Sequence, residues 1–458
     1  MRKERDYLGE VEVDEEAYYG VHTVRALRNF PSTGERFDQA FLWAYFMVKK
    51  TAAILNLELG FLEERIGEAI IRACDEWKTL SKYIVVDPLS GGAGTSVNMN
   101  VNEVIANRAT ELIGGRKGEY LVHPLDHVNL HQSTNDTFPT AGKMAVIVRL
   151  RELVEAVIAL QEAVQVKEKE FYNIRKPGRT QLMDGPPIML GQEFGAFADA
   201  LARDRWRLNK VEERIRSVNL GGTAIGTGVG APKEYILRAV EKLREVSGVK
   251  VAKAENLIDA TQNLDTFAEV HGLLKSLAVN LYKISNDIRI LSSGPNTAIG
   301  ELIPPRVQAG SSIMPGKINP VVPEYVMQLC HVVFGHETII SHACALGNLE
   351  LNQFVPLVVH FTLKSITHLT SACKALRDYV LGIEANPERC REHLTNSISN
   401  LTPLIKRFGY EKVALAIKAA NWDVERAFKI LAEETGVELE KLKRDLDLDR
   451  MTGLGYTV

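Results

Sequence analysis

Apolar residues recur along the middle of this chain at intervals that suit a helix. Val146, Leu150, Leu153, Val157, Leu160 and Val164 step by four and three residues. Phe267, Val270, Leu274, Leu277, Leu281, Ile284, Ile288 and Leu291 do the same. Steps that alternate between three and four average 3.5, close to one helical turn, so each series forms a continuous apolar seam on one face. Gly191–Ser217, Pro320–Leu346 and Asn348–Gly382 carry further long helical patterns, and Pro320 and Pro323 suit a first turn, where a missing N–H costs little. Five long amphipathic helices in one region predict a bundle. Ile147, Val154 and Ile158 widen one stripe beyond its seam. A stripe that wide asks for cover on more than one side, so the bundle is expected to associate with copies of itself.

The two ends read differently. Before residue 130 the patterns are shorter, at Ala40–Leu57, Leu62–Lys82 and Val101–Leu112. After residue 388 they are short again, at Tyr410–Ala420, Asp423–Glu434 and Glu438–Leu446, with Asn421 and Gly436 between them. The pattern predicts a mainly α protein in three parts: a mixed, mostly helical domain over 1–130, a long-helix bundle over 131–388 and a small helical domain over 389–458.

Four polar segments interrupt the apolar periodicity: Gly91–Asn100, His131–Asp136, Gly178–Gly185 and Gly310–Asn319. They are rich in Ser, Thr, Asn and Gln, and the last adds a lysine. Next to helix N-termini such segments favour anions. The last, Gly310-Ser311-Ser312-Ile313-Met314-Pro315-Gly316-Lys317-Ile318-Asn319, cannot be a helix interior or a central strand. Between Ser293 and Pro320 stand five prolines and four glycines. A connection that long inside a compact chain is usually functional or disordered, and its spaced apolar residues argue against disorder. A cation, an amide and two adjacent hydroxyls suit a carboxylate, which points to a dicarboxylic acid bound here and to Ser311 as the group that takes its proton.

Other candidates carry less. His331, His336 and His342 are spaced by five and six, which does not place a metal set on one helical face. Gly221–Gly228, GGTAIGTG, fits neither GxxxxGK[ST] nor a strand-led GxGxxG, so it is not expected to hold a nucleotide.

The 458 residues exceed one ordinary core, and 45% hydrophobic with 25% charged residues is ordinary globular composition. A net charge of −3 gives no global reason for nucleic acid or an anionic membrane as partner. The first residues are charged and lack an apolar signal core, and no run of about 18 apolar residues predicts a span. The five cysteines are odd in number and lack a CxxC, which reads as reduced thiols in a cytoplasmic protein.

With these residues in view, the chain resembles the aspartase/fumarase superfamily over nearly its full length. GSSIMPGKINP matches the superfamily pattern GSSxMPxKxN, a highly specific string. QSTNDTFPT, GRTQLMDGPPIMLGQEF, GGAGTSVNMNVNEVIANRA and YYGVHTVRALRNF match further blocks. Within the superfamily, GGAGTS, the VVPE after the signature, Gln181 after GRT and YYGVHT are closest to aspartate ammonia-lyases. Phe138-Pro139-Thr140 and Met183 are as compatible with fumarases. Ser90 and Gly185-Pro186-Pro187 depart from the usual pattern.

The resemblance implies a three-domain lyase fold whose long helices assemble into a tetrameric core, with active sites shared among three subunits. It implies reversible anti elimination of ammonia from L-aspartate to give fumarate, without cofactor or metal. The alternative is a class II fumarate hydratase acting on L-malate; more distant are argininosuccinate or adenylosuccinate lyases and structural relatives without catalysis. Carried over by position, Ser311 is the base. Thr95, Ser133, Thr134 and Ser312 hold the β-carboxylate, while Lys317, Asn319 and Thr180 hold the α-carboxylate. Asn135, Gln181 and Thr95 face the amino group, and Glu324 and Arg25 are possible supporting residues.

Overall fold

The structure, a computed structural model, describes residues 1–448 and 450–456. The chain divides into two compact units, each assembled from stretches distant in sequence. One comprises Met1–Glu155, Asp204–Val279 and Leu329–Ser371; the other comprises Ala156–Arg203, Asn280–Gln328 and Ala372–Val458. The five long helices, Thr134–Glu170, Leu190–Ile215, Asp265–Leu291, Val321–Ala345 and Val355–Leu381, each contribute residues to both.

The seams read from the sequence are core. Val146, Leu150, Leu153, Val157, Leu160 and Val164 are all buried, and so are all eight seam residues from Phe267 to Leu291. In the first unit the Gln39–Glu58 helix is buried almost all round, capped at its start by Asp38, whose carboxylate accepts from Ala40 N at 2.7 Å. A short hairpin, Arg2–Asp6 against Gly9–Val13, precedes it. In the second unit the last helices, Tyr410–Ala419, Val424–Thr435 and Leu439–Asp445, close over their own core of Leu401, Leu404, Val413, Phe428, Leu431 and Leu442.

Three segments differ from the periodicity reading. Asn348–Gly382 is helical only from Val355. Asn352 donates its side-chain amide to the carbonyls of Ala343 and Cys344 at 2.9 and 3.1 Å and accepts from Phe354 N, so a side chain ends one helix and starts the next. The helix read as Val101–Leu112 begins earlier, at Thr95. Its first turns are polar yet buried, because Asn98, Asn100 and Asn102 all find hydrogen-bond partners inside. Gly178–Gly185, read as a polar loop, lies in a β-hairpin, Arg175–Thr180 against Met183–Met189.

Candidate functional site

In the first unit two helix N-termini meet. Gly94, at φ +90°, precedes the Thr95 helix, and a Cβ there would stand 2.4 Å from the Phe138 ring. Only glycine therefore lets the Thr95 turn approach the first turns of the Thr134 helix so closely. Thr95 is exposed on its first turn. Across from it, Ser133 caps the Thr134 helix: its hydroxyl accepts from Asn135 N at 3.2 Å, and Asp136 reaches back to Ser133 N at 3.0 Å. Ser133-Thr134-Asn135-Asp136 is thus a variant of the capping box: the hydroxyl takes the N–H of the second helical residue instead of the third, and an aspartate stands where Glu or Gln is usual. Asn135 donates Nδ2 to the carbonyl of Ala224 at 2.7 Å, which leaves Oδ1, an acceptor, as its other polar atom.

Two charged residues missed by the sequence reading lie beneath this loop. Asp136 is fully buried; burial pushes its carboxyl up to about 7, against the downward pull of the N–H groups of Ser133, Thr223 and Gly221. Lys49 is also fully buried, and loss of water brings its ammonium down to about 7. It donates to three amide oxygens, on Asn98, Asn129 and Gln132, at 2.7, 3.1 and 3.0 Å. The signal for Asp136 was present, since an acid three residues after a Ser cap marks a box. No sequence feature separates Lys49 from a surface lysine.

In the second unit the hairpin turns at Gln181 and Leu182, both with positive φ, +54° and +65°. That is the φ requirement of a two-residue type I′ turn, normally met by Asn and Gly, and side chains held there are conformationally costly. Thr180 and Gln181 are exposed at the tip with Leu182 and Met183. The preceding Arg179 donates both arms of its guanidinium to Glu301, at 2.6 and 2.8 Å. Glu301 has no exposed side-chain surface; His393 and Lys176 also contact it, at 2.8 and 3.2 Å. Burial alone would raise its carboxyl, but these partners hold it below the usual carboxylate range. Glu301 therefore fastens the hairpin to the Ser293–Pro320 connection.

That connection ends in the signature loop. Ser311 Oγ accepts two backbone hydrogen bonds, from Ile313 N at 3.2 Å and Met314 N at 3.0 Å. N–H donors aimed at a hydroxyl oxygen favour its deprotonated form. Gly310 N donates to the carbonyl of Lys317 at 2.9 Å, so the loop closes on itself. Ser312 is exposed, and Lys317 forms no ion pair among the described residues. Glu324, on the first turn of the next helix, lies 3.8 Å from Arg289.

The predicted residues thus fall into two groups. Thr95, Ser133, Thr134 and Asn135 belong to the first unit; Thr180, Gln181, Ser311, Ser312, Lys317, Asn319 and Glu324 belong to the second. Arg25 is engaged elsewhere in the first unit, with both its arms on Asp6, at 2.7 and 2.8 Å. Among the described residues no three of His, Cys, Asp or Glu gather into a metal-binding group. The Gly221–Gly228 turn spends the N–H groups of Gly221 and Thr223 on Asp136, at 3.1 and 3.0 Å.

The chain is similar to known proteins in sequence and in fold. A profile of the lyase family matches residues 9–335. The aspartate ammonia-lyase of a Bacillus species is 42% identical over 462 residues, spanning 99% of this chain and 98% of its own. Among solved structures, a fumarate lyase:delta crystallin from Brucella melitensis, bound to cobalt, superimposes with a TM-score of 0.93 at 43% identity, covering 99% of both chains. A class II fumarase from Schistosoma mansoni gives 0.91 at 30% identity, covering 98% of this chain and 99% of the other.

Proposed function

The chain belongs to the lyase family of aspartases and fumarases, and from that premise we propose that it is an aspartate ammonia-lyase, a carbon–nitrogen lyase. L-Aspartate loses a Cβ proton and its α-amino group on opposite faces, leaving fumarate. The obstacle is the proton, which sits beside a carboxylate. The carbanion is tolerable only as an aci-carboxylate dianion, so fixed donors have to surround that carboxylate.

Ser311 is the base in this reading. The observation that carries it is the pair of backbone N–H groups converging on Oγ. Oγ acts as the alkoxide, its own proton lost beforehand and its charge supported by those N–H groups. The C–H bond breaks as the proton passes to it, and collapse of the dianion then breaks the Cα–N bond and expels the ammonium nitrogen as neutral ammonia. Thr95, Ser133, Thr134 and Ser312 hold the β-carboxylate. Lys317, Asn319 and Thr180 hold the α-carboxylate, with Lys317 free of any internal carboxylate among the described residues. Asn135, Gln181 and Thr95 face the amino group. An α-ammonium is a donor, and Asn135 is held with Oδ1 as its remaining acceptor. Glu324 and Arg25 stay outside the chemistry, as supporting residues.

The assembly proposed is a homotetramer with active sites shared among three subunits. Its support is a second seam along the Val321–Ala345 helix. Tyr325, Val332 and Ile339, with Leu346 just past the helix end, are 43, 42, 37 and 54% exposed and stand seven residues apart. That is a heptad stripe left exposed among the described residues of the single chain. Between its members Gly335 has open space above it, room for another backbone to approach. Three sequence domains, 1–130, 131–388 and 389–458, belong to the same proposal, the last supported by its self-contained core. A cytoplasmic location fits five free thiols and the lack, among the described residues, of a helix long and apolar enough to cross a membrane.

The test is ultraviolet absorbance of fumarate. It is expected to rise with L-aspartate and to stay flat with L-malate; a rise with malate alone means a fumarate hydratase.

A further inference from the structure

We propose that Asp136 is a positioning residue of the elimination site: its carboxylate clamps the Ser133–Asn135 loop to the glycine turn at 219–224 and so sets where a substrate carboxylate and amino group are held. The proposal rests on the reading of Ser133, Thr134 and Asn135 as substrate-binding residues.

A capping box needs one carboxylate oxygen, and Oδ1 supplies it to Ser133 N. Oδ2 does something a cap does not require. It leaves the helix and accepts from Gly221 N and Thr223 N, 85 and 87 residues away in sequence. Two more bonds join the same partners. Asn135 Nδ2 donates to Ala224 O, and Asn219 Nδ2 donates to the main-chain oxygen of Asn135 at 3.0 Å. Asn219 is itself buried and fixed by Thr261 Oγ1 at 2.9 Å. The loop cannot move without breaking this set.

The turn is a stiff partner. Gly221 and Thr223 both have positive φ, +92° and +53°. A Cβ on Gly221 would come within 3.1 Å of Ile236 Cα, so the turn lies directly on the Lys233–Ser247 helix. Thr223 also donates its hydroxyl to Val229 O at 3.0 Å. A non-glycine residue in this region persists only where its surroundings over-determine it. Three N–H groups converging on one side chain require an acceptor on both oxygens. An amide offers one acceptor oxygen and would set its NH2 against an N–H. Coulombic attraction from Lys49, in its cage of amide oxygens, adds to these N–H groups in favouring the charged carboxylate. Displacement of a substrate-holding group by about 1 Å can cost on the order of a hundredfold in rate.

The experiment compares the full-length wild type with Asp136→Asn. The KM for L-aspartate and the dissociation constant of succinate, a dicarboxylate that cannot react, are both expected to rise at least tenfold. Loss of folded protein lowers kcat but moves neither constant. Values within twofold of wild type overturn the proposal. Should Asp136→Asn not fold, Asn219→Ala cuts the tether to Asn135 alone on the loop side; a threefold rise in both constants is expected, and no change overturns the clamp. Succinate binding is read by calorimetry, independent of turnover. Wild type that forms no fumarate would contradict the elimination reading while the calorimetric comparison still decides on the clamp.

Discussion

Asn319 donates its side-chain amide to the carbonyl of Gly310, 2.8 Å away, and so joins the two ends of the signature loop. The approach is close because Gly310 has no side chain: a Cβ there would stand 2.6 Å from the carbonyl oxygen of Lys317. The ring formed in this way carries Ser311 and Lys317 between its ends.

Replacing Asn319 with Ala opens that ring. Loss of one hydrogen bond accounts for about 0.5–1.5 kcal/mol, or roughly 2–10-fold in kcat/KM. A residue that also holds the α-carboxylate costs more. Steady-state kinetics on aspartate are expected to show at least a tenfold loss, and a loss under twofold would remove Asn319 from both roles.

Ser311→Ala keeps the Gly310–Lys317 and Asn319–Gly310 closures of the loop and removes Oγ with the two bonds it accepts from Ile313 N and Met314 N. Turnover should fall by about three orders of magnitude or more, as expected when a group acting in the transition state is deleted. The circular dichroism spectrum should not change. A variant with half of the wild-type rate would show that another group takes the proton.

Glu301→Gln breaks a buried cluster rather than a surface pair. Arg179 would lose its countercharge inside the protein and Lys176 would keep only Glu193, 3.0 Å away; breaking a buried pair typically costs about 3–5 kcal/mol. Differential scanning calorimetry should record a clear fall in melting temperature. An unchanged melting point would mean that water screens the cluster.

Stability should decline in mild acid. His271 and His336 both hydrogen-bond Ser365 Oγ, at 2.8 and 2.9 Å, and burial brings both imidazoles down to about 4. An unfolded histidine titrates near 6.5, so between about 6.5 and 4 the unfolded chain binds more protons than the folded one. The stability contributed by neutral imidazoles is therefore complete above about pH 6.5 and lost as pH falls towards 4. Denaturant melts over this range should show the slope, and His271→Gln should flatten it relative to wild type.

The exposed heptad gives a prediction about assembly. Ile339→Glu places a charge in the middle of the stripe without touching the intramolecular core, since Ile340 rather than Ile339 is buried. Light scattering should show a tetramer for wild type and a smaller species for the variant. A tetramer in both would move the interface to another face.

Much of the helical framework was legible because burial repeats with the geometry of a turn. Every residue of the two seams from Val146 and Phe267 is core. Where polar residues are buried, the signal fails. The Thr95 helix begins six residues before its apolar pattern because its asparagines find partners outside the helix: Asn98 and Asn102 donate to Asn129 Oδ1, and Asn100 donates to Tyr83 O. The Gly178–Gly185 segment reads as a loop in sequence, since nothing in Gln181-Leu182 announces a turn with two positive φ angles.

The sequence by itself determined the long-helix architecture, the family and the four segments that carry polar chemistry, because periodicity and motif strings are local properties. Only the tertiary structure decided that Asp136 answers Gly221 and Thr223, that Glu301 holds Arg179 and that Lys49 sits among amides. Those pairings join residues tens of positions apart. A buried charge declares itself only through its surroundings, which exist once the chain has folded.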